Sequence, residues 1–252
     1  MKKFELTTEF ITSMFGKKLF RIKALIEFGN VKAGELGGFV EKEENLSHDG
    51  NAWVCGNAVV CGNAVVRGNA VVCGNAVVRE NAEVCGNAVV RGNAVVRENA
   101  WVCGNAVVRE NAWVCENAWV RGNAVVCGNA VVCENAEVCE NAEVCENAWV
   151  CGNAWVRGNA VVCGNAVVCE NAEVCGNADY ACIKGFGTEF RQITFYKTKE
   201  DGIGVKCGCF NGSLEQFREQ VKETRNGKIA KEYLIIADLM EYHFASEGSD
   251  DE

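Results

Sequence analysis

The chain has 252 residues, 17 cysteines, no proline and a formal charge of −9, with a pI near 5.0. That acidic balance argues against non-specific binding to nucleic acid or to anionic membranes, both of which select basic surface. No stretch approaches the roughly 18 apolar residues of a membrane helix, and Met1-Lys2-Lys3-Phe4-Glu5-Leu6 opens no secretion signal. A soluble, cytoplasmic protein is therefore expected, with its thiols kept reduced.

Residues 1–50 read as a small N-terminal β unit. Leu19-Phe20-Arg21-Ile22-Lys23-Ala24-Leu25 alternates in character, as a half-buried strand does. Gly34-Glu35-Leu36-Gly37-Gly38-Phe39-Val40-Glu41 and Asn45-Leu46-Ser47 follow. This predicts a short hairpin leading into an imperfect first coil. Val40 and Leu46 are six residues apart but Val54 lies eight beyond Leu46, so a two-residue slip at His48-Asp49 joins this unit to what comes next.

From Asn51 the chain becomes an array of 22 hexapeptides that runs to Asp179 or Tyr180 without an insertion or deletion. The unit is N-A-x-V-x-G/E, as in Asn57-Ala58-Val59-Val60-Cys61-Gly62. A strict internal period outranks other signals and specifies a solenoid. Because a strand reverses side-chain direction at each residue, Ala and Val form the inward pair, and Asn, the third residue and the fifth point outward. A lining of only Ala and Val makes a slender interior. The corner falls between the sixth position and the next Asn. Since Glu replaces Gly at the sixth position (Glu80, Glu98, Glu116, Glu134), Asn is expected to be the residue with positive φ.

Residues 181–252 lose the repeat. Arg191–Lys197 and Ile203–Phe210 read as strands about a turn at Glu200-Asp201-Gly202. Ser213 and Gln216 form a capping box for a helix with Leu214, Phe217 and Val221 on one face. A second helix from Ala230 to Phe244 is expected to bury Tyr233, Ile236, Ala237 and Met240, and Glu247–Glu252 is a fraying acidic tail.

The N-A-x-V-x-G/E array resembles the hexapeptide-repeat family of left-handed parallel β-helices, with Val in the family's large aliphatic slot and Ala in its small one. It departs in placing Cys or Arg, rather than Gly, after the aliphatic residue. The resemblance implies a mainly β fold, a single-stranded left-handed parallel β-helix with three hexads per coil, closed by the N-terminal β cap and a C-terminal ββαα cap. Coils of 18 residues would give a little over seven turns and a prism roughly 35 Å long. The segments Arg21-Ile22-Lys23-Ala24 with Gly37-Gly38-Phe39-Val40, and Cys207-Gly208-Cys209-Phe210-Asn211-Gly212-Ser213-Leu214, resemble flanks of such arrays in uncharacterised phage and prophage proteins.

Acyl transfer in the family usually uses a histidine, and the array has none: His48 precedes it and His243 follows it. No loop interrupts the coils to wall off a substrate. No catalytic residue, cofactor or metal site is assigned, with His48 the fallback catalyst. Under an 18-residue coil, Cys115, Cys133, Cys151 and Cys169 form one column, and Cys127, Cys145 and Cys163 another. Arg79, Arg97, Arg91 and Arg109 share those slots, which favours lining thiols over a metal ladder, and Cys207-Gly208-Cys209 is read as strand packing. The corner glutamates are read as a solvated edge offset by Arg79 and Arg97 rather than as a nucleic-acid mimic.

The outward apolar columns are the candidate contact faces: Val71, Val89, Val107 and Val125 on one, and Trp101, Trp119 and Trp155 bordered by Arg121 and Arg157 on another. Flat apolar strips of this length are rare on monomers, and Trp with Arg is a hot-spot composition. The expected function is a non-enzymatic solenoid scaffold of phage or prophage origin that binds itself (a homo-oligomer) or a bacterial host protein, with no nucleic acid and no membrane partner. An acyltransferase-like enzyme with an inter-subunit site and a thiol-rich metal binder are the alternatives.

Overall fold

The computed structural model describes residues 1–13, 16–200 and 202–245. It is a mainly β protein: a β-solenoid of stacked coils with a C-terminal region that carries two helices. The turn residue Asp201 and the tail Glu247–Glu252 lie outside the described residues. Among the described residues no helix is long and apolar enough to cross a membrane.

Each hexad from Asn51 to Gly176 contributes one two-residue strand at its third and fourth positions, β4 (Trp53–Val54) through β24 (Glu173–Val174). Each strand from β4 to β21 pairs in parallel with the strand three further along, as in Val59↔Val77 and Val95↔Trp113, 18 residues apart. Three sheets result, one per face. The ladder is regular: Val59 N–H donates to Ala76 O at 2.9 Å and Cys61 N–H to Val78 O at 3.0 Å. The second and fourth positions point inward, so Ala58, Val60, Ala76 and Val78 are fully buried and the core is one narrow column of Ala and Val. Each such valine contributes roughly 1.5–3 kcal/mol of burial.

The corners correct one expectation. Positive φ belongs to the sixth position, at Gly62 (71°), Glu80 (66°) and Glu98 (63°) alike, and no asparagine has it. A Cβ on Gly104 would lie 2.9 Å from the N and O of Gly122 in the next coil, so glycine is the relaxed choice here. At four of the eight glutamate corners the carboxylate offsets the strain by accepting from the next coil's backbone. Gly128, Gly152 and Gly158 N–H donate to Glu110, Glu134 and Glu140 Oε2 at 2.7, 2.6 and 2.9 Å, and Glu98 N–H to Glu80 Oε2 at 3.0 Å. Asparagine has a different task. Each Asn Nδ2 donates to the Oδ1 of the Asn 18 residues on, at 2.9–3.3 Å, in three unbroken columns from Asn51, Asn57 and Asn63 to Asn159, Asn165 and Asn171. Such amide ladders suit in-register stacking.

At the N-terminal end, β1 (Phe4–Thr12) and β2 (Lys18–Ala24) form an antiparallel hairpin that extends one solenoid sheet through β3 (Leu36–Val40). Val40 pairs Val60 and Leu46 bridges Val66, an offset of 20 residues that carries the two-residue slip read at His48-Asp49. Gly38 lies where a Cβ would come within 2.6 Å of Ala58 O, so β3 can approach the first coil only as glycine. The backbone groups of that coil that face away from the array are satisfied by side chains. Lys3 Nζ, in a residue 1% exposed, donates to Ala52 O at 2.9 Å and Gly50 O at 3.3 Å; Asn45 Nδ2 donates to Ala64 O at 2.8 Å and Gly62 O at 3.2 Å.

The last hexad leaves the solenoid. Asn177–Asp179 is a 3₁₀ turn, and Tyr180 begins β25 (Tyr180–Ile183), which pairs antiparallel with β26 (Ile193–Lys197). β27 (Ile203–Cys207) and β28 (Phe210–Ser213) complete a four-stranded sheet. The segment read as one strand to Phe210 is thus a hairpin, with Cys207 paired to Phe210 and Gly208 (φ 58°) turning it. Ser213 accepts from Gln216 N–H and Gln216 from Ser213 N–H, and α1 (Leu214–Thr224) buries Leu214, Phe217 and Val221. Helix α2 (Gly227–Phe244) starts three residues before the expected Ala230 and buries Ile236, Ala237, Met240 and Phe244, with Tyr233 partly covered. Side chains again meet the solenoid's last coil: Val161 N–H donates to Asn177 Oδ1 at 2.8 Å, Tyr180 Oη to Val161 O at 2.7 Å, and Val167 N–H to Thr194 Oγ1 at 3.1 Å.

Candidate functional site

The 18-residue register turns each outward position into a column. Val71, Val89, Val107 and Val125 are consecutive rungs of one sheet. They are half-buried, because each β-branched side chain covers its neighbours. Trp53, which precedes them, is buried against Phe28, and Glu143 follows them. The fifth-position column beside them holds Arg91 and Arg109 as well as Cys55, Cys73, Cys127, Cys145 and Cys163. That face is therefore only partly apolar.

Trp101 and Trp119 are adjacent rungs of a second sheet, stacked with ring centroids 5.2 Å apart and an interplanar angle of 15°. Trp155 lies on the same column but Glu137 separates it from Trp119. The column reads Val65, Glu83, Trp101, Trp119, Glu137, Trp155, Glu173. Arg67, Arg121 and Arg157 from the neighbouring column pair with Glu83, Glu137 and Glu173 in turn. Arg121 and Arg157 are thus engaged within the chain. Trp155 is partly engaged too, since Lys199 Nζ sits 4.2 Å from its ring centroid while donating to Asn153 O at 2.8 Å. What stands free is the Trp101–Trp119 pair, 36% and 44% exposed, between two Arg–Glu pairs.

Trp113 and Trp149 were not singled out by sequence reasoning. They share a column of the third sheet with Val131 between them, and Trp149 is half exposed. Their separation of 36 residues, two 18-residue turns, was the available signal. Arg97 covers Trp113, its guanidinium 5.5 Å from the ring centroid.

His48 is a structural anchor. Its Nδ1 accepts from Lys3 N–H at 3.1 Å, its Nε2 bonds Glu43 Oε1 at 2.7 Å, and its ring stacks on Phe4 at 4.4 Å. Both nitrogens are committed. A groove of about 1100 Å³ between the last coil and the C-terminal unit is lined by Glu170, Tyr196, Asn211, Ser213 and Glu241. Its hydroxyls are also committed, Ser213 to the start of α1 and Tyr196 to Cys169 and Asn211. At the corners, Arg97 holds Glu98 at 2.7 Å and Arg109 holds Glu110 at 2.8 Å. One group of potential metal-ligating atoms, on Glu98, Cys115 and Glu116, lies within 4.8 Å of one another.

Burial raises the thiols generally: Cys55 and Cys85 to about 11 and Cys145 to about 12, the latter two also beside glutamates. Cys133 is the main exception, drawn down by hydrogen bonds from Cys115 and then Cys151. No family model matches the chain, and no curated protein matches it.

Proposed function

We propose that the chain is a non-enzymatic scaffold that associates with a second copy of itself, or with a bacterial host protein, through the Trp101–Trp119 face. In this reading the solenoid is a left-handed β-helix with three hexads per coil, the hairpin β1–β2 and the ββββαα unit cap its ends, and the protein is phage- or prophage-encoded and works in the host cytoplasm. Handedness and origin rest on the resemblance of the repeat and flanks. The contact face rests on one observation: a stacked, solvent-facing tryptophan pair on a flat sheet, rimmed by Arg67–Glu83 and Arg121–Glu137. An apolar centre within a charged rim is the anatomy of a protein interface.

Trp119→Glu tests it, because the inward Ala118 and Val120 are untouched. Wild type should sediment as an oligomer or retain a partner from bacterial lysate, and the variant should do neither while keeping its circular dichroism. A wild type that stays monomeric and captures nothing overturns the scaffold reading. Acetyl-CoA raising its melting temperature would instead favour the acyltransferase alternative.

A further inference from the structure

One fifth-position column differs from the others. It reads Cys61, Arg79, Arg97, Cys115, Cys133, Cys151, Cys169, so its last four rungs are consecutive cysteines. They are in register, with Cys115, Cys133 and Cys151 N–H each donating at 3.0 Å to Val132, Val150 and Val168 O. Cys115 and Cys169 are buried, and Cys133 and Cys151 half-buried. The buried Tyr196 closes the row, its hydroxyl 3.3 Å from Cys169 Sγ. The arginines that argued against a metal ladder stand only before this row, and Arg97 is turned to Glu98 and Trp113.

Successive rungs of a sheet are about 4.8 Å apart. Zinc–thiolate bonds are about 2.3 Å long, and a similar length to a soft ion held between two opposed thiolates would set the sulfurs about 4.6 Å apart. A disulfide would need Cβ atoms at about 3.5–4.5 Å, closer than parallel rungs stand. Soft thiolates select Cu(I) and its congeners.

We propose that Cys115, Cys133, Cys151 and Cys169 bind two soft monovalent ions, Cu(I) or Ag(I), as near-linear dithiolates, one between Cys115 and Cys133 and one between Cys151 and Cys169. Each pair releases two protons, takes up one cation and becomes a complex of net charge −1. Arg97 near the first pair and Lys206 near the second offset that charge, against the opposing carboxylates of Glu98, Glu116 and Glu170. In the three-thiol column, Cys127 Sγ is instead turned to Glu143 Oε1 at 3.8 Å.

The test is anaerobic titration of fully reduced protein with Cu(I) buffered by bicinchoninate. Wild type should withhold two equivalents that the double variant Cys133→Arg/Cys151→Arg surrenders. Arginine already fills this slot at Arg79 and Arg97, so the variant should fold, and circular dichroism checks that it does. Cys127→Arg/Cys145→Arg should still withhold both, and excess Zn(II) should not displace them. The proposal fails if wild type yields all its Cu(I) to the chelator, or if the folded Cys133/Cys151 variant keeps both ions. It fails equally if the two variants lose the same amount, or if Zn(II) displaces the ions, which would point to the Glu98–Cys115–Glu116 group.

Discussion

Replacing corner glutamates with glycine separates backbone strain from its repair. Glu116 and Glu134 stack in one corner column, both with φ of 61°. A side chain in this left-handed region costs roughly 1–2 kcal/mol, and glycine gives back about 0.5–1 kcal/mol through its freer unfolded chain. Glu116→Gly should therefore stabilise the protein by about 0.5–1 kcal/mol. The carboxyl of Glu116 is also held above its usual range by burial and by Cys133, Glu98 and Glu134, so removing it relieves a crowded charge. Glu134→Gly gains the same backbone relief but loses the Oε2 acceptor 2.6 Å from Gly152 N–H. At this exposed corner that bond contributes about 1 kcal/mol, leaving the second variant near neutral. Chemical denaturation should rank Glu116→Gly above wild type and Glu134→Gly about 1 kcal/mol below Glu116→Gly, or roughly 2–4 °C in melting temperature. Equal effects, or the reverse order, would show that the carboxylate does not offset the corner strain.

Asn45→Ala removes the donors to Gly62 O and Ala64 O and the acceptor for Lys42 N–H; a loss of about 2–4 kcal/mol is expected in denaturant unfolding. Lys3 is held at about 8 by burial, which Asp49 only partly opposes, against about 10.4 in an unfolded chain. Between those values the unfolded state binds more protons, so Lys3 favours folding increasingly as pH rises. The melting temperature of wild type minus that of Lys3→Met should thus widen in favour of wild type from pH 7 to pH 10, by about 2 °C or more. The raised thiols shift both proteins alike and cancel in the difference. A flat or narrowing difference would refute the burial of a charged Lys3.

The architecture was legible in the sequence because a hexad alternating Ala and Val inward can bury them only by stacking on copies of itself. The two-residue slip before the array was legible for the same reason, as Val40, Leu46 and Val54 must each reach the interior. Local preference misled at the corner: asparagine tolerates positive φ, yet the coil places it where its amide meets the next asparagine, and the strain falls on Gly or Glu. The hairpin at Gly208-Cys209 was hidden because Cys207 and Phe210 each suit a strand, and only their pairing shows the reversal.

The candidate faces followed from 18-residue arithmetic, but exposure did not. That Lys199 covers Trp155, that Arg121 answers Glu137, and that Trp53 is buried depend on groups far apart in sequence or on rungs of neighbouring columns. The sequence by itself determined which residues stack, since a strict period leaves one set of neighbours. Only the tertiary structure decided which stacked residues meet water, because that turns on the ends folding back and on side chains reaching between columns.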